Sequence, residues 1–178
     1  GVAKHRHAIE EYILQYQPIV LALNTQSSID QEMIDLRVAC HPIRLLADCD
    51  THVQLPQPLI TPASMLPKDV LDSLGTKELL DFGLKVQCET FEIAESHCVI
   101  PTSLVMMYAL AVLTSGKAKR ILLAGFDGYP AGDSRNDETM HLFDKYQENV
   151  NAIPMLSITQ TKYRLPTASV YGLLKEEQ

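Results

Sequence analysis

Residues 101–133, PTSLVMMYALAVLTSGKAKRILLAGFDGYPAGD, read as an apolar helix, a tight turn, an apolar strand and a glycine-punctuated loop. That order is half of a βαβ unit, and it directs the chain toward an α/β class with a mostly parallel sheet. The loop leaving the strand carries Asp127 between Gly125 and Gly128. In open α/β sheets ligands sit outside the carboxyl ends of the strands, so a site is expected at this loop.

The chain has 178 residues, 46% of them hydrophobic and 21% charged. That suits one domain with a substantial core, and we expect a single Rossmann-like α/β domain over residues 1–178. The formal net charge is −7, a field that repels phosphate backbones and anionic membrane and argues against a nucleic-acid partner. No apolar run approaches the ~20 residues of a membrane span, because residues 104–113 are soon followed by Ser115 and Gly116. The opening GVAKHRHAIEE is charged and runs directly into a helical pattern, unlike a signal peptide; Gly1 in place of Met points to excision from a longer chain. Cys40, Cys49, Cys88 and Cys98 form no C-x-x-C pair and read as buried free thiols, which makes the cytoplasm the expected compartment.

Helix and strand signals alternate. Ile9, Tyr12, Ile13 and Tyr16 share a helical face within residues 7–16, and Pro18 stops the helix. Residues 19–23 have strand length and end in the polar loop 24–28, while residues 36–40 give a second strand. Pro42 opens a short helix at its first position. Pro56, Pro58, Pro62 and Pro67 forbid a long helix between residues 48 and 67, leaving an extended piece at 58–61 and a helical turn at 66–74 closed by Gly75. Residues 84–93 alternate as a half-buried strand, residues 136–149 form the last clear helix, and 155–159 and 169–174 read as closing strands.

Three polar segments are candidate ligand contacts. Asp127 and Gly128 follow a buried strand, where the carboxylate either reaches a ligand hydroxyl or caps the next turn. Thr102 and Ser103 stand at the start of the apolar helix, where they either help hold an anion or cap the free amides. Asn24 and Thr25 follow the first strand, and in a parallel sheet that end faces the same way as Asp127. Arg135 lies just past the glycine loop, where its planar fork either pairs with an anionic ligand or stays solvated.

His5 and His7 do not make a metal pair, since on a helix they point about 200° apart. His97 and Cys98 face opposite sides of a strand, and His52 and His141 have no visible partners. There is no G-x-G-x-x-G, P-loop or G-x-S-x-G, so no nucleotide cofactor is indicated and the cofactor stays unspecified.

The segment IPTSLVMMYALAVLTSGKAKRILLAGFDGY resembles Rossmann-like domains of the archaeal 6-hydroxymethylpterin pyrophosphokinase-like family and, more distantly, of bacterial sialyltransferases. With LALN at 21–24, HPIRLLAD at 41–48 and PLITP at 58–62, the chain is similar to the C-terminal region of long bacterial proteins that carry an N-terminal aldolase domain. Those are 4-hydroxy-2-oxovalerate aldolase-like proteins of the hydroxymethylglutaryl-CoA lyase-like barrel family, often found with cell-surface polysaccharide genes. The resemblance implies an accessory domain of a carbon-carbon lyase, with the aldolase domain as its partner, binding a small anionic or sugar-like ligand. The lyase reaction itself would belong to the barrel, for which this chain is too short. Two other readings stand beside it: a transferase acting on a nucleotide or nucleotide-sugar, and a structural module whose apolar surface supports homo-oligomerisation. Asn24-Thr25-Gln26-Ser27 replaces the glycine-rich first loop of the kinase-like and transferase groups, which weighs against independent transferase activity.

Overall fold

The computed structural model describes residues 1–175. In chain order the elements are α1 (Arg6–Tyr16), β1 (Leu21–Leu23), β2 (Leu36–Val38), α2 (Pro42–Ala47), α3 (Cys49–Gln54), β3 (Leu59–Thr61), α4 (Lys68–Leu74) and β4 (Leu79–Asp81). There follow β5 (Gly83–Val86), β6 (Glu92–Ile93), β7 (His97–Ile100), α5 (Val105–Ser115), β8 (Ile121–Leu123), α6 (Arg135–Gln147), β9 (Met155–Ser157) and α7 (Val170–Leu173). The fold is α/β with a Rossmann-like, mostly parallel sheet, as the alternation around residues 101–133 leads one to expect. The chain gathers into two compact units, one of Ile19–Ser27 with Ile34–Lys117, the other of Gly1–Pro18, Ser28–Met33 and the described residues from Ala118 onward.

In the first unit β1, β2, β3 and β4 lie side by side in sequence order and all parallel, with Leu21 opposite Leu36, Val38 opposite Ile60 and Thr61 opposite Asp81. Connections between parallel neighbours must cross a face of the sheet, and α2 and α4, which follow β2 and β3, share one core there. Leu45 of α2 and Val70 and Leu74 of α4 close there on Ala39 and Leu59. Full burial of side chains like Leu45, Leu59 and Leu74 contributes roughly 1.5–3 kcal/mol each. Helix α5 packs against β1, β2 and β7 and buries seven of its eleven residues, the other four being half-buried. A helix apolar on all sides belongs inside, which the run at 104–113 announces. A small sheet completes this unit, with β5 parallel and β6 antiparallel to β7.

In the second unit β8 and β9 form a parallel pair, Ile121 opposite Met155 and Leu123 opposite Ser157. Helix α1 buries Ala8, Ile9 and Tyr12 against Ile158 and Val170. Phe143 of α6 meets Phe126 edge-on at 6.1 Å between ring centroids and Tyr163 at 5.4 Å. Aromatic pairs at such spacing add about 0.5–1.5 kcal/mol beyond their burial.

Three expectations about elements change. Residues 169–174 are not a strand: Val170, Leu173 and Leu174 are spaced for one helical face, and α7 carries them onto α1. The sheet is extended instead by a single bridge from Ser157 to Thr167. The alternation at 84–93 is cut after Val86, because Glu89 takes a left-handed φ of 58° and turns the chain, which leaves two residues for β6. Residues 49–54, for which the sequence pattern announces no element, form the short helix α3, which ends before Pro56 in keeping with the absence of a long helix. Cys40 and Cys98 are the buried thiols; Cys49 is half-buried and Cys88 exposed, and all four are free.

Candidate functional site

The strands of the four-stranded sheet all run out at one edge of the first unit. Asn24 follows β1 there, Cys40 stands two residues past β2, and Thr61 and Asp81 end β3 and β4. Asn24 takes a left-handed φ of 53° while its N–H donates to the Val38 carbonyl at 2.8 Å. Asn tolerates that conformation better than most residues, and it turns the chain sharply off the strand. The Asn24 carbonyl then accepts from Arg37 Nη1 at 2.8 Å. The Cys40 thiol donates to the Ser103 carbonyl at 3.2 Å. The Asn24-Thr25 turn and the Thr102-Ser103 turn are thereby brought to one edge of one sheet. Neither hydroxyl of the latter caps α5: the helix starts at Val105, Leu104 holds the N-cap position, and no side chain bonds the free amides.

Two further residues mark this edge. Asp81 Oδ1 accepts the Ser64 N–H at 3.1 Å. Thr61 is fully buried, and its hydroxyl has no hydrogen-bond partner. A buried hydroxyl left unpaired costs about 1–3 kcal/mol, so a partner atom belongs beside it. Burial, with Cys98 adding to it, pushes the Cys40 thiol up to about 12. Cys40 is therefore a neutral hydrogen-bonding group at neutral pH and lacks the thiolate that nucleophilic chemistry needs.

Behind the edge lies a polar core. Arg37, 0% exposed, sits in mid-strand and donates from Nε to Gln57 Oε1 at 2.9 Å. His52 of α3 is 1% exposed, and its Nδ1 has no partner. Burial foremost lowers its affinity for a proton; Asp48 opposes that effect, and Arg37 and Lys77 reinforce it. The Lys77 ammonium donates to the Leu55 carbonyl.

In the second unit the loop after β8 holds Asp127, Gly128 and, at the start of α6, Arg135. Gly125 and Gly128 have φ of 84° and 91°, and the Gly125 N–H donates to Thr159 Oγ1 at 3.0 Å. A Cβ on Gly128 would stand 3.1 Å from Lys162 and 3.2 Å from Asn136 Oδ1. Asn136 braces the loop, accepting the Tyr129 N–H at 2.8 Å and donating to the carbonyls of Tyr129 at 3.2 Å and Pro130 at 3.1 Å. Lys162 donates to the Tyr129 carbonyl at 2.6 Å.

Asp127 does not cap the following turn: its Oδ2 lies 2.5 Å from the Gly1 nitrogen, and its Oδ1 is buried without a partner. Arg135 turns its fork on Asp133, at 3.0 and 2.7 Å, with its guanidinium carbon 4.0 Å from the centre of the Tyr129 ring. That pairing holds the Asp133 carboxyl down at about 2 and raises the affinity of Arg135 for its proton.

The expected residues thus divide between the units. Asn24, Thr25, Thr102 and Ser103 belong to the first, and Asp127, Gly128 and Arg135 to the second. Sequence reasoning passed over Arg37, Thr61 and Asp81. A charged residue inside the otherwise apolar strand Leu36-Arg37-Val38 is itself a signal of a buried polar role. Among the described residues no group of three or more His, Cys, Asp or Glu is arranged to hold a metal ion. No helix among them is long and apolar enough to cross a membrane. A shallow depression of about 400 Å³ runs along α2, lined by His41, Ile43, Arg44, Ala47 and Asp48, and takes in none of the strand-end residues. The chain matches no family model, no curated protein and no solved structure.

Proposed function

We propose that this chain is a ligand-binding domain for a small, hydroxyl-rich, sugar-like molecule, acting as an accessory part of an aldolase-type carbon-carbon lyase. One observation carries the binding role. Three buried side-chain atoms lack partners among the described residues; Asp127 Oδ1 lies in the loop past the parallel strand β8 of the second unit, Thr61 Oγ1 ends the parallel strand β3 of the first, and each is a contact point within its own unit. Unsatisfied polar atoms placed where α/β folds take ligands are what a ligand's hydroxyls would satisfy.

The surrounding chemistry favours a neutral ligand over an anionic one. The Arg135 guanidinium is engaged by Asp133, and the Lys162 ammonium by the Tyr129 carbonyl. What remains unpaired is the Asp127 Oδ1 in the second unit and, separately, the Thr61 hydroxyl in the first. The lyase association rests on the sequence resemblance, and cell-surface polysaccharide precursors are the substrate class it suggests.

The test is thermal denaturation with neutral monosaccharides, sugar phosphates and hydroxycarboxylates, since a ligand that binds the native state alone raises its apparent stability. A neutral sugar should raise the midpoint, the rise should vanish in Asp127→Asn, and no product should form. Stabilisation by none of these classes, or an equal rise in wild type and Asp127→Asn, would sink the proposal.

A further inference from the structure

We propose that α2 is a contact helix through which two copies of this chain associate, the helices lying antiparallel about a two-fold axis. The inference concerns the first unit alone and stands apart from the ligand-binding role.

Helix α2 turns one side chain fully inward. Leu45 is buried in one cluster with Ala39 and Leu59; of the other residues of the helix Pro42 is half-buried and the rest are exposed. At 3.6 residues per turn, Ile43 and Ala47 stand one above the other on the side away from Leu45. Leu46 borders them on one flank, and Arg44 with Asp48, which closes the helix, on the other. Ile43 is 74% exposed and Leu46 46%. Lone exposed apolar residues are ordinary, but here two share a short helix with the shallow depression that Ile43, Arg44, Ala47 and Asp48 line.

The charges on the flank say what covers this face. The chain carries a formal net charge of −7, so most of its surface repels a copy of itself. The flank of α2 is balanced instead: one cation and one anion, four residues and about 6 Å apart along the helix. Among the described residues neither side chain makes a hydrogen bond or an ion pair of its own. Consider a two-fold axis through the middle of α2, perpendicular to the helix and to the line joining it to its copy. It reverses the direction of the second helix and keeps the charged flank on the same side, so Arg44 of each copy meets Asp48 of the other. The same operation sets the large Ile43 of each copy toward the small Ala47 of the other, the kind of match by which helix surfaces interlock. A partner of one sign would satisfy one of these charges and oppose the other; a second copy satisfies both. A contact built on so short a helix lies at the low end of interface size, so the dimer is weak and concentration-dependent.

The test is analytical ultracentrifugation of the full chain without ligand, from about 1 µM to about 1 mM. We expect a monomer–dimer equilibrium that Ile43→Asp abolishes within this range. Arg44→Asp and Asp48→Arg each place like charges opposite one another twice, and each should weaken association by about tenfold or more. The double variant Arg44→Asp with Asp48→Arg should recover the wild-type dissociation constant. Mixing the two single variants should give a heterodimer tighter than either alone, because all four charges are then opposed correctly. If Asp48→Arg does not fold, Ile43→Asp and Arg44→Asp, both at exposed positions, still decide the matter. The proposal is overturned if the wild type stays monomeric throughout, if a dimer forms that Ile43→Asp and Arg44→Asp leave unchanged, or if the double variant and the mixture associate no better than the single variants.

Discussion

Arg37 and Asn24 are joined across adjacent parallel strands by a guanidinium-to-carbonyl bond of 2.8 Å, which ties a fully buried mid-strand cation to the turn that leaves the sheet. A charge is buried in a sheet only when its hydrogen bonds are made, and the bonds it makes here shape the rim.

Replacing Arg37 with Met keeps the volume and removes the donors. The Asn24 carbonyl and Gln57 Oε1 both lose the guanidinium as a donor, and an acceptor deprived of its donor away from water costs about 1–3 kcal/mol. Relief from burying the charge offsets part of that cost. Urea denaturation should show a net loss of about 1–3 kcal/mol, and hydrogen exchange at residues 24–27 should quicken. An unchanged exchange rate there would mean that the turn holds itself.

Thr61→Val is isosteric and deletes a hydroxyl that has no partner. Without ligand the variant should be as stable as wild type or more so, by up to about 1 kcal/mol. A loss above about 1 kcal/mol in the unliganded variant would show that the hydroxyl already has a partner, such as an ordered water.

His52 makes stability depend on pH with a definite sign. Its folded-state proton affinity is lowered from the ordinary 6.5, so below 6.5 the unfolded chain binds more protons than the folded one. Stability from this group is fully present above 6.5 and is lost as pH falls through the lowered folded value. Asp133 acts in a separate, more acidic window, between its ordinary 3.8 and about 2. Denaturant midpoints measured against pH should therefore fall in two steps, and His52→Gln should delete only the upper one. An upper step that survives in His52→Gln would assign it to another group.

Gly128→Ala tests the braced loop of the second unit. Alanine would have to hold φ 91° and place its Cβ 3.1 Å from Lys162, so a loss of about 1–2 kcal/mol is expected, with the Lys162 contact displaced. A variant as stable as wild type would show that the loop relaxes freely.

Local chemistry explains what could be read from residues alone. The α/β class, the helix at α5, the strand at β8 and the glycine loop after it follow from periodicity and from Gly125 and Gly128, all signals carried within a few residues. Pro42 at a helix start and Gly75 at a helix end are equally local. The end of the chain was misread because Val170, Leu173 and Leu174 offer too few positions to separate a period near 3.6 from one of two until α1 is there to receive them.

Other features have no local signature. His52 shows no partner in sequence because Arg37 and Lys77, which act on it, lie 15 and 25 residues away along the chain and come within electrostatic reach only in the folded unit. Thr61 is an ordinary strand residue until burial removes the water that would satisfy it. Periodicity was enough to say that strand ends would carry the polar turns, because side-chain pattern and turn chemistry are properties of neighbours along the chain. Which polar atoms end up paired, and which are left waiting, was settled by packing, since desolvation depends on everything folded around an atom.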